Sequence, residues 1–361
     1  MLECITYTTN MRKLNRGKNQ SPNNSLAIKV AIGFLLILLI TSSLTLVLII
    51  KSKEFAFFEA TKSLQDKNTT NIDKLAFPVG VNVNQKIIIE NPSVDNYVNK
   101  HIVSNHTNPD SYNSWFTKLT AKLAMLDWYQ NLASPLGRTL IILSGERGEE
   151  VAVNFGQILK WDKQSRDDFT QIIASSTPEL KDGKFYPGSY LTKKDAAPEE
   201  VAQIIIGRFD AEVRSRYTKE VEESVPMRDA LIIASLIERE AYDFEDMRYI
   251  SGIIWNRLFI DMKLQLDASL QYAKGSGANQ PWWPKVVPDD KYINSPFNTY
   301  QHTGLPPEPI ANPSLDAIIA ALNPRKTDCY FYFHDQNGQF YCSKTYEEHV
   351  AKLKDIYGQG R

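Results

Sequence analysis

The feature that most constrains this chain is an uncharged run over residues 30–50, dominated by Leu and Ile. As a helix rising about 1.5 Å per residue, such a run reaches roughly 30 Å, the thickness of a bilayer core. A cleaved signal peptide has a shorter apolar region, about 7–15 residues, and a small-x-small cleavage site. Here Lys51-Ser52-Lys53-Glu54 follows instead. A retained single span is expected. Arg12, Lys13, Arg16, Lys18 and Lys29 precede it, against Lys51, Lys53, Lys62 and Lys67 after it. This narrow excess favours a cytoplasmic N-terminus, with the rest of the chain on the other side.

At 361 residues the whole chain has room for two modest domains and a tail. Composition is that of a folded protein, 43% hydrophobic and 23% charged. A net charge of −1 provides no global field to recruit nucleic acid. Three cysteines are too few for a disulfide framework. Cys329 and Cys342 flank Asn337-Gly338, a hairpin turn signal. A two-residue turn there sets Cys342 opposite Phe333, so no Cys329–Cys342 bridge is expected and no redox site.

The overall pattern is α+β. Residues 1–29 are polar and Asn-rich, a tail, and 51–77 read as a juxtamembrane connector. Over 77–180, β-rich runs at 86–90 and 139–143 alternate with amphipathic stretches such as 115–129, which suggests a small α+β domain. A denser region begins near Gly183. A helix opens at Ala197-Pro198 and runs to about Arg216, and another starts at Pro226 with Ser224 as its expected cap. Ala230, Ile233, Ala234, Ile237 and Ala241 form one apolar stripe at helical spacing. A Pro- and Trp-rich stretch (280–288), a polar loop (294–313), a short helix (314–322), a hairpin (330–343) and a last helix containing His349 complete the chain.

Common catalytic signatures are missing: no Gly-rich phosphate loop, no G-x-S-x-G, no H-E-x-x-H, no C-x-x-C. His101 and His106 are spaced poorly for one metal ion on a helix. No metal and no cofactor is expected. The helix ending Ala234-Ser-Leu-Ile-Glu-Arg-Glu240 is more informative. At about 100° per residue, Glu238 lies roughly 80° to one side of the apolar stripe and Glu240 roughly 80° to the other. Each carboxylate borders buried surface, where desolvation raises a pKa. Roughly 160° apart around the axis, they do not converge on one bond as a two-carboxylate glycosidase pair does. Glu-Arg-Glu is also an ordinary solvated helix pattern. The loop Ser295-Pro-Phe-Asn-Thr-Tyr300, continued by Gly304-Leu-Pro-Pro-Glu-Pro-Ile-Ala-Asn-Pro313, is held extended by its prolines. It either lines a groove for a polyhydroxylated ligand or covers the core.

Those motifs, together with Ile254-Trp-Asn-Arg-Leu258, Met262-Lys-Leu-Gln-Leu-Asp-Ala-Ser269, Tyr330-Phe-Tyr-Phe333, Ser343 and Glu348-His349, occur in an order that resembles the endolytic murein transglycosylase (MltG, or YceG-like) family. The resemblance is strong over about 185–355 and loose over 78–180. Ala268 stands where the family usually has Pro, and Gln280-Pro-Trp-Trp-Pro284 is unusual. The resemblance implies a LysM-like subdomain at 78–182, joined through Gly183-Lys-Phe-Tyr-Pro-Gly-Ser-Tyr190 to a YceG-like catalytic domain at 183–358. It implies a single-pass protein of the bacterial inner membrane facing the wall, acting on peptidoglycan strands in wall assembly, near cell-wall synthesis or division proteins.

It also implies catalysis by the first motif glutamate, Glu238. A lytic enzyme needs one carboxyl group, because the 6-hydroxyl of N-acetylmuramic acid is the nucleophile and leaves a 1,6-anhydro end. Moving such an acid from about 4.3 to about 6 corresponds to roughly 2 kcal/mol in favour of the neutral form. Glu240, Asn256, Gln265, Asp267, Ser295, Asn298, Thr299 and Tyr300 are the expected supporting or sugar-binding residues. Arg257 and Glu240 are a candidate structural ion pair, and Tyr300 either meets a sugar or anchors its loop. Two rivals stay open. One is a hydrolytic muramidase, with Asp267 as the second carboxylate; the other is a non-enzymatic wall-binding scaffold.

Overall fold

The computed structural model describes residues 29, 32–43, 45, 76–90, 92, 94, 126 and 137–358. The chain divides into two compact units, residues 1–57 and 58–361. In the first, 32–43 are helical, with apolar side chains such as Phe34 and Leu38 exposed. Part of the expected span at 30–50 lies outside the described residues, as does nearly all of 115–129. Among the described residues no helix is long and apolar enough to cross a membrane.

The second unit is mixed α+β and packs around two apolar clusters. The smaller is built on strand β3 (Gly137–Ile142), paired antiparallel with β4 (Gly188–Lys193) so that Leu140 faces Tyr190. Alternate β3 residues turn inward, and Leu140 and Ile142 are fully buried. They meet Phe155 of α1 (Gly148–Leu159), Phe169 and Ile173 of α2 (Lys163–Ser175), and Ile205 of α3 (Pro198–Glu212). Asp162 caps α2 through the Ser165 amide, and Pro198 opens α3 where a missing N–H costs nothing. This sheet and its cluster straddle the expected boundary at 182/183. β3 comes from one side of it, and β4 and α3 from the other. In a smaller pair, β1 (Val81–Asn82) and β2 (Ile87–Ile88), only β2 falls within the expected run at 86–90.

The larger cluster is helical. After the short α4 (Lys219–Ser224) come α5 (Met227–Glu240), α6 (Phe244–Phe259), α7 (Asp267–Lys274) and α8 (Leu315–Leu322). The expected stripe on α5 is real: Ala230, Ile233, Ala234 and Ile237 are fully buried, while Ala241 is the C-cap rather than a helical residue. Ser224 does not cap α5. Its hydroxyl donates to the Glu220 carbonyl of α4, and the Glu222 carboxylate reaches round to accept the free Met227 amide. A longer acidic side chain one turn back therefore takes the capping role.

Asn312 joins the clusters. Its Oδ1 accepts the Gly183 and Phe185 amides, and its Nδ2 donates to the Glu146 carbonyl, all in buried surroundings. Gly183 has φ +91°, and a Cβ there would lie 2.9 Å from Pro309, so the Pro-rich loop packs directly on bare backbone.

The C-terminal hairpin, β5 (Phe331–His334) and β6 (Phe340–Ser343), corrects two expectations. The loop has three residues between Asp335 and Gln339, with Gly338 left-handed at φ +80°, rather than two. That shifts the register by one, so Tyr332, not Phe333, faces Cys342. Cys329 lies ahead of the paired strand with its Cα 5.8 Å from that of Cys342, and the two form a disulfide. The simple ladder did not apply to a residue outside it. Helix α9 (Tyr346–Tyr357) follows, opened by a Thr345–Glu348 capping box.

Candidate active site

Helix α5 stops at Glu240, and its last three side chains leave in different directions. Glu238 and Glu240 take separate partners, as their angular separation requires. The Glu238 Oε2 accepts both the backbone amide (2.9 Å) and the hydroxyl (2.6 Å) of Ser314, the N-cap of α8. Ser144, in the turn between β3 and α1, also favours the ionised form of this carboxyl. Burial pushes the Glu238 carboxyl up, and these hydrogen bonds pull it back.

Glu240 turns to the other side. Its Oε1 accepts the Ala268 amide in the first turn of α7 (3.2 Å), and its Oε2 accepts the Tyr332 hydroxyl (3.0 Å). Burial pushes this carboxyl up too. The Ala268 amide, the Tyr332 hydroxyl and nearby His334 lower it, while Asp267 raises it further. Glu240 lines a cavity of about 640 Å³ with Gln265, Asp267, Tyr300, Tyr332 and His334; Glu238 is not among the residues that line it.

The other expected residues separate into two groups. Gln265, Asp267 and Tyr300 reach this cavity. The Tyr300 hydroxyl donates to Asp267 Oδ1 at 2.6 Å, which ties the Pro-rich loop to the start of α7. Asn256, Ser295, Asn298 and Thr299 instead build the frame. Asn256 Nδ2 donates to the Thr327 and Cys329 carbonyls. Ser295 accepts the Phe297 amide. Asn298, fully buried, donates to Lys291 and Ile293 carbonyls and accepts the Tyr300 amide. The Thr299 hydroxyl accepts the Leu266 amide and shares a bond with Ser269, so it fixes the loop that carries Gln265 and Asp267.

Arg257 makes no ion pair with Glu240. Its guanidinium donates to the carbonyls of Tyr330, Lys263 and Leu264, clamping the hairpin to that same loop. These bonds are structural, but they run to backbone carbonyls, and Arg257 also lines the cavity.

Tyr332, His334 and Lys291 are among the cavity residues that have no site role in the sequence analysis. For the first two, the signal was present in the 330–333 motif followed by a turn, since alternate strand residues share a face. His334 Nε2 lies 2.8 Å from Asp246 Oδ2, the ring packed edge-on against Tyr242.

The Trp-rich stretch lies beyond the other end of α7. Arg147 donates to the Gln271, Gly275 and Trp282 carbonyls, and its guanidinium lies 4.6 Å from the Trp283 ring, with Arg239 at 3.9 Å from the same ring. This lattice fixes the segment as a wall. Among the described residues no group of three or more His, Cys, Asp or Glu side chains is placed to hold a metal ion.

Several known proteins are similar to this chain. A relative from Bacillus subtilis, named an endolytic murein transglycosylase, is 34% identical over 177 residues, which cover 49% of this chain and 48% of that protein. A protein of the same name from Streptococcus pneumoniae is 31% identical over 175 residues, 48% of this chain and 32% of the other. The chain thus spans half or less of the curated relatives it matches. A crystal structure of a YceG-like protein from Listeria monocytogenes superposes with a TM-score of 0.53 at 28% identity, covering 60% of this chain and 76% of that one. The YceG-like family profile matches residues 78–355, well over half of the sequence, and the chain belongs to the YceG-like family.

Proposed function

We propose that this chain is an endolytic lytic transglycosylase of peptidoglycan and that Glu240 carries the proton. The observation behind the residue assignment is the placement of a half-buried, pKa-raised carboxyl on the wall of a polar cavity, beside the Asp267–Tyr300 pair. The name borne by the curated relatives supports the activity. In the reaction, neutral Glu240 gives its proton to the glycosidic oxygen as the bond from that oxygen to C1 of N-acetylmuramic acid breaks. The carboxylate left behind takes the proton of the sugar's 6-hydroxyl as O6 bonds to C1. The proton count closes on one side chain, and no water is consumed. The Ala268 amide and Tyr332 hydroxyl steady the carboxylate between these steps.

Sequence reading assigned this role to Glu238, and its raised pKa is the observation in favour of that second assignment. Against it, Glu238 does not line the cavity that Glu240 lines, and its Oε2 accepts twice at the N-cap of α8. A structural acid that fastens α8 to α5 fits those contacts better. For hydrolysis, Asp267 is the available second carboxylate, already engaged by Tyr300.

Residues 30–50 anchor the protein in the cytoplasmic membrane, N-terminus inside, in this reading, with the cavity on the wall side near the strand-synthesis or division proteins. The uncharged run supports the anchor. The Cys329–Cys342 disulfide supports an oxidising, extracytoplasmic compartment. The test is digestion of intact sacculi by the full chain, with products weighed. Anhydromuramic ends support lysis, reducing ends one water heavier support the muramidase, and no release supports a scaffold.

A further inference from the structure

We infer that Tyr332 is a positioning residue for Glu240, and that the Cys329–Cys342 disulfide is the tether that holds Tyr332 there. This deepens the site assignment and rests on Glu240 being the acid. Tyr332 is central on β5, and its hydroxyl meets the Glu240 Oε2 at 3.0 Å. The residue directly across the hairpin is Cys342. The disulfide returns the chain from Cys342 to Cys329, three positions ahead of Tyr332. The same stretch is bound to α6: Asn256 holds the Thr327 and Cys329 carbonyls, and Arg257 Nε holds the Tyr330 carbonyl at 2.6 Å. The Tyr330 amide donates to Ser343 and closes the base of the hairpin. Tyr332 also stacks on Phe340, with ring centroids 5.9 Å apart.

A two-stranded hairpin on its own is marginally stable. This one ends its chain of contacts on a carboxyl oxygen that must alternate between protonated and ionised forms. The hydroxyl favours the ionised form, because a donor to a carboxylate stabilises the charge. The other charged and titratable groups around Glu240 are Asp267 on α7, His334 on β5, Arg239 on α5, and Tyr300 of the loop, with Arg257 of α6 behind Tyr332. None of them replaces the Tyr332 donor on Oε2.

The experiment is the pH–rate profile of anhydro-product release by the full chain, compared between wild type, Y332F, E240Q and the thiol-reduced wild type. Y332F removes one hydroxyl, and the alkaline limb is expected to move up by about one pH unit while KM changes little. Reduction is expected to move the limb in the same direction, or to lower kcat at constant KM. Y332F and reduced profiles that superpose on wild type, with E240Q inactive, would overturn the inference and leave the site assignment standing. An active E240Q sinks the assignment itself. Reduction needs no substitution, so it reads the tether even where Y332F fails to fold.

Discussion

Glu146 makes a pH dependence of folding that can be worked through. It lies in the turn between β3 and α1, 9% exposed, with Oε2 accepting the Leu143 amide at 2.9 Å and Oε1 accepting from Asn154 at 3.2 Å. Burial outweighs the Leu143 bond and pushes its carboxyl from 4.5 up to about 8. Between those values the folded chain holds a proton that the unfolded chain has released. Stability from this group is therefore full below pH about 4.5 and is lost as pH rises through about 8. The pKa difference sets a ceiling of about 5 kcal/mol on that loss, of which about 4 kcal/mol falls between pH 5 and pH 9. Glu146→Gln keeps the shape and an acceptor but cannot ionise. Urea unfolding of the full chain in detergent, from pH 5 to pH 9, measures both proteins. The stability of wild type relative to Glu146→Gln is expected to fall by up to about 4 kcal/mol across that range. A constant difference would refute the reasoning, since it would mean the carboxyl ionises equally well folded and unfolded.

Other substitutions probe the frame. Asn312→Ala deletes the side chain that serves Gly183, Phe185 and Glu146, and is expected to cost about 3–5 kcal/mol in a urea titration because buried amides lose their acceptor. Gly252→Ala places a Cβ 2.2 Å from the Arg325 carbonyl, so α6 must move. A loss of at least about 2 kcal/mol is expected, read as a lowered melting temperature. Thr299→Val leaves the Leu266 amide unpaired and should cost about 1–3 kcal/mol in the same melt. It should also lower sacculus digestion by disturbing the loop that carries Asp267.

Elements whose pattern is local are legible in the sequence. The α5 stripe, the β3 run, the helix after Ser314 and the 330–343 hairpin all follow from periodicity and turn chemistry, and all occur. Misses came where a distant or longer side chain competes. Glu222 takes the cap expected of Ser224, and a three-residue loop replaces the two-residue turn, which moves Tyr332 opposite Cys342 and alters the cysteine geometry. At the site, the helical wheel separated Glu238 from Glu240 but could not say which faces open space. That depends on elements far apart in sequence: α7 and the hairpin both bond to Glu240, and Tyr300 ties its loop to Asp267 beside it. Asn256, Ser295, Asn298 and Thr299 are polar residues in motifs, but their hydrogen bonds run to backbone and, for Thr299, also to the Ser269 hydroxyl, so these side chains serve the frame.

The most direct measurement compares Glu240→Gln and Glu238→Gln chains on intact sacculi, with released fragments identified by mass. Loss of anhydromuramic ends with Glu240→Gln, alongside measurable release from a folded Glu238→Gln chain, is the predicted result. Anhydromuramic ends released at the wild-type rate by Glu240→Gln would contradict the account.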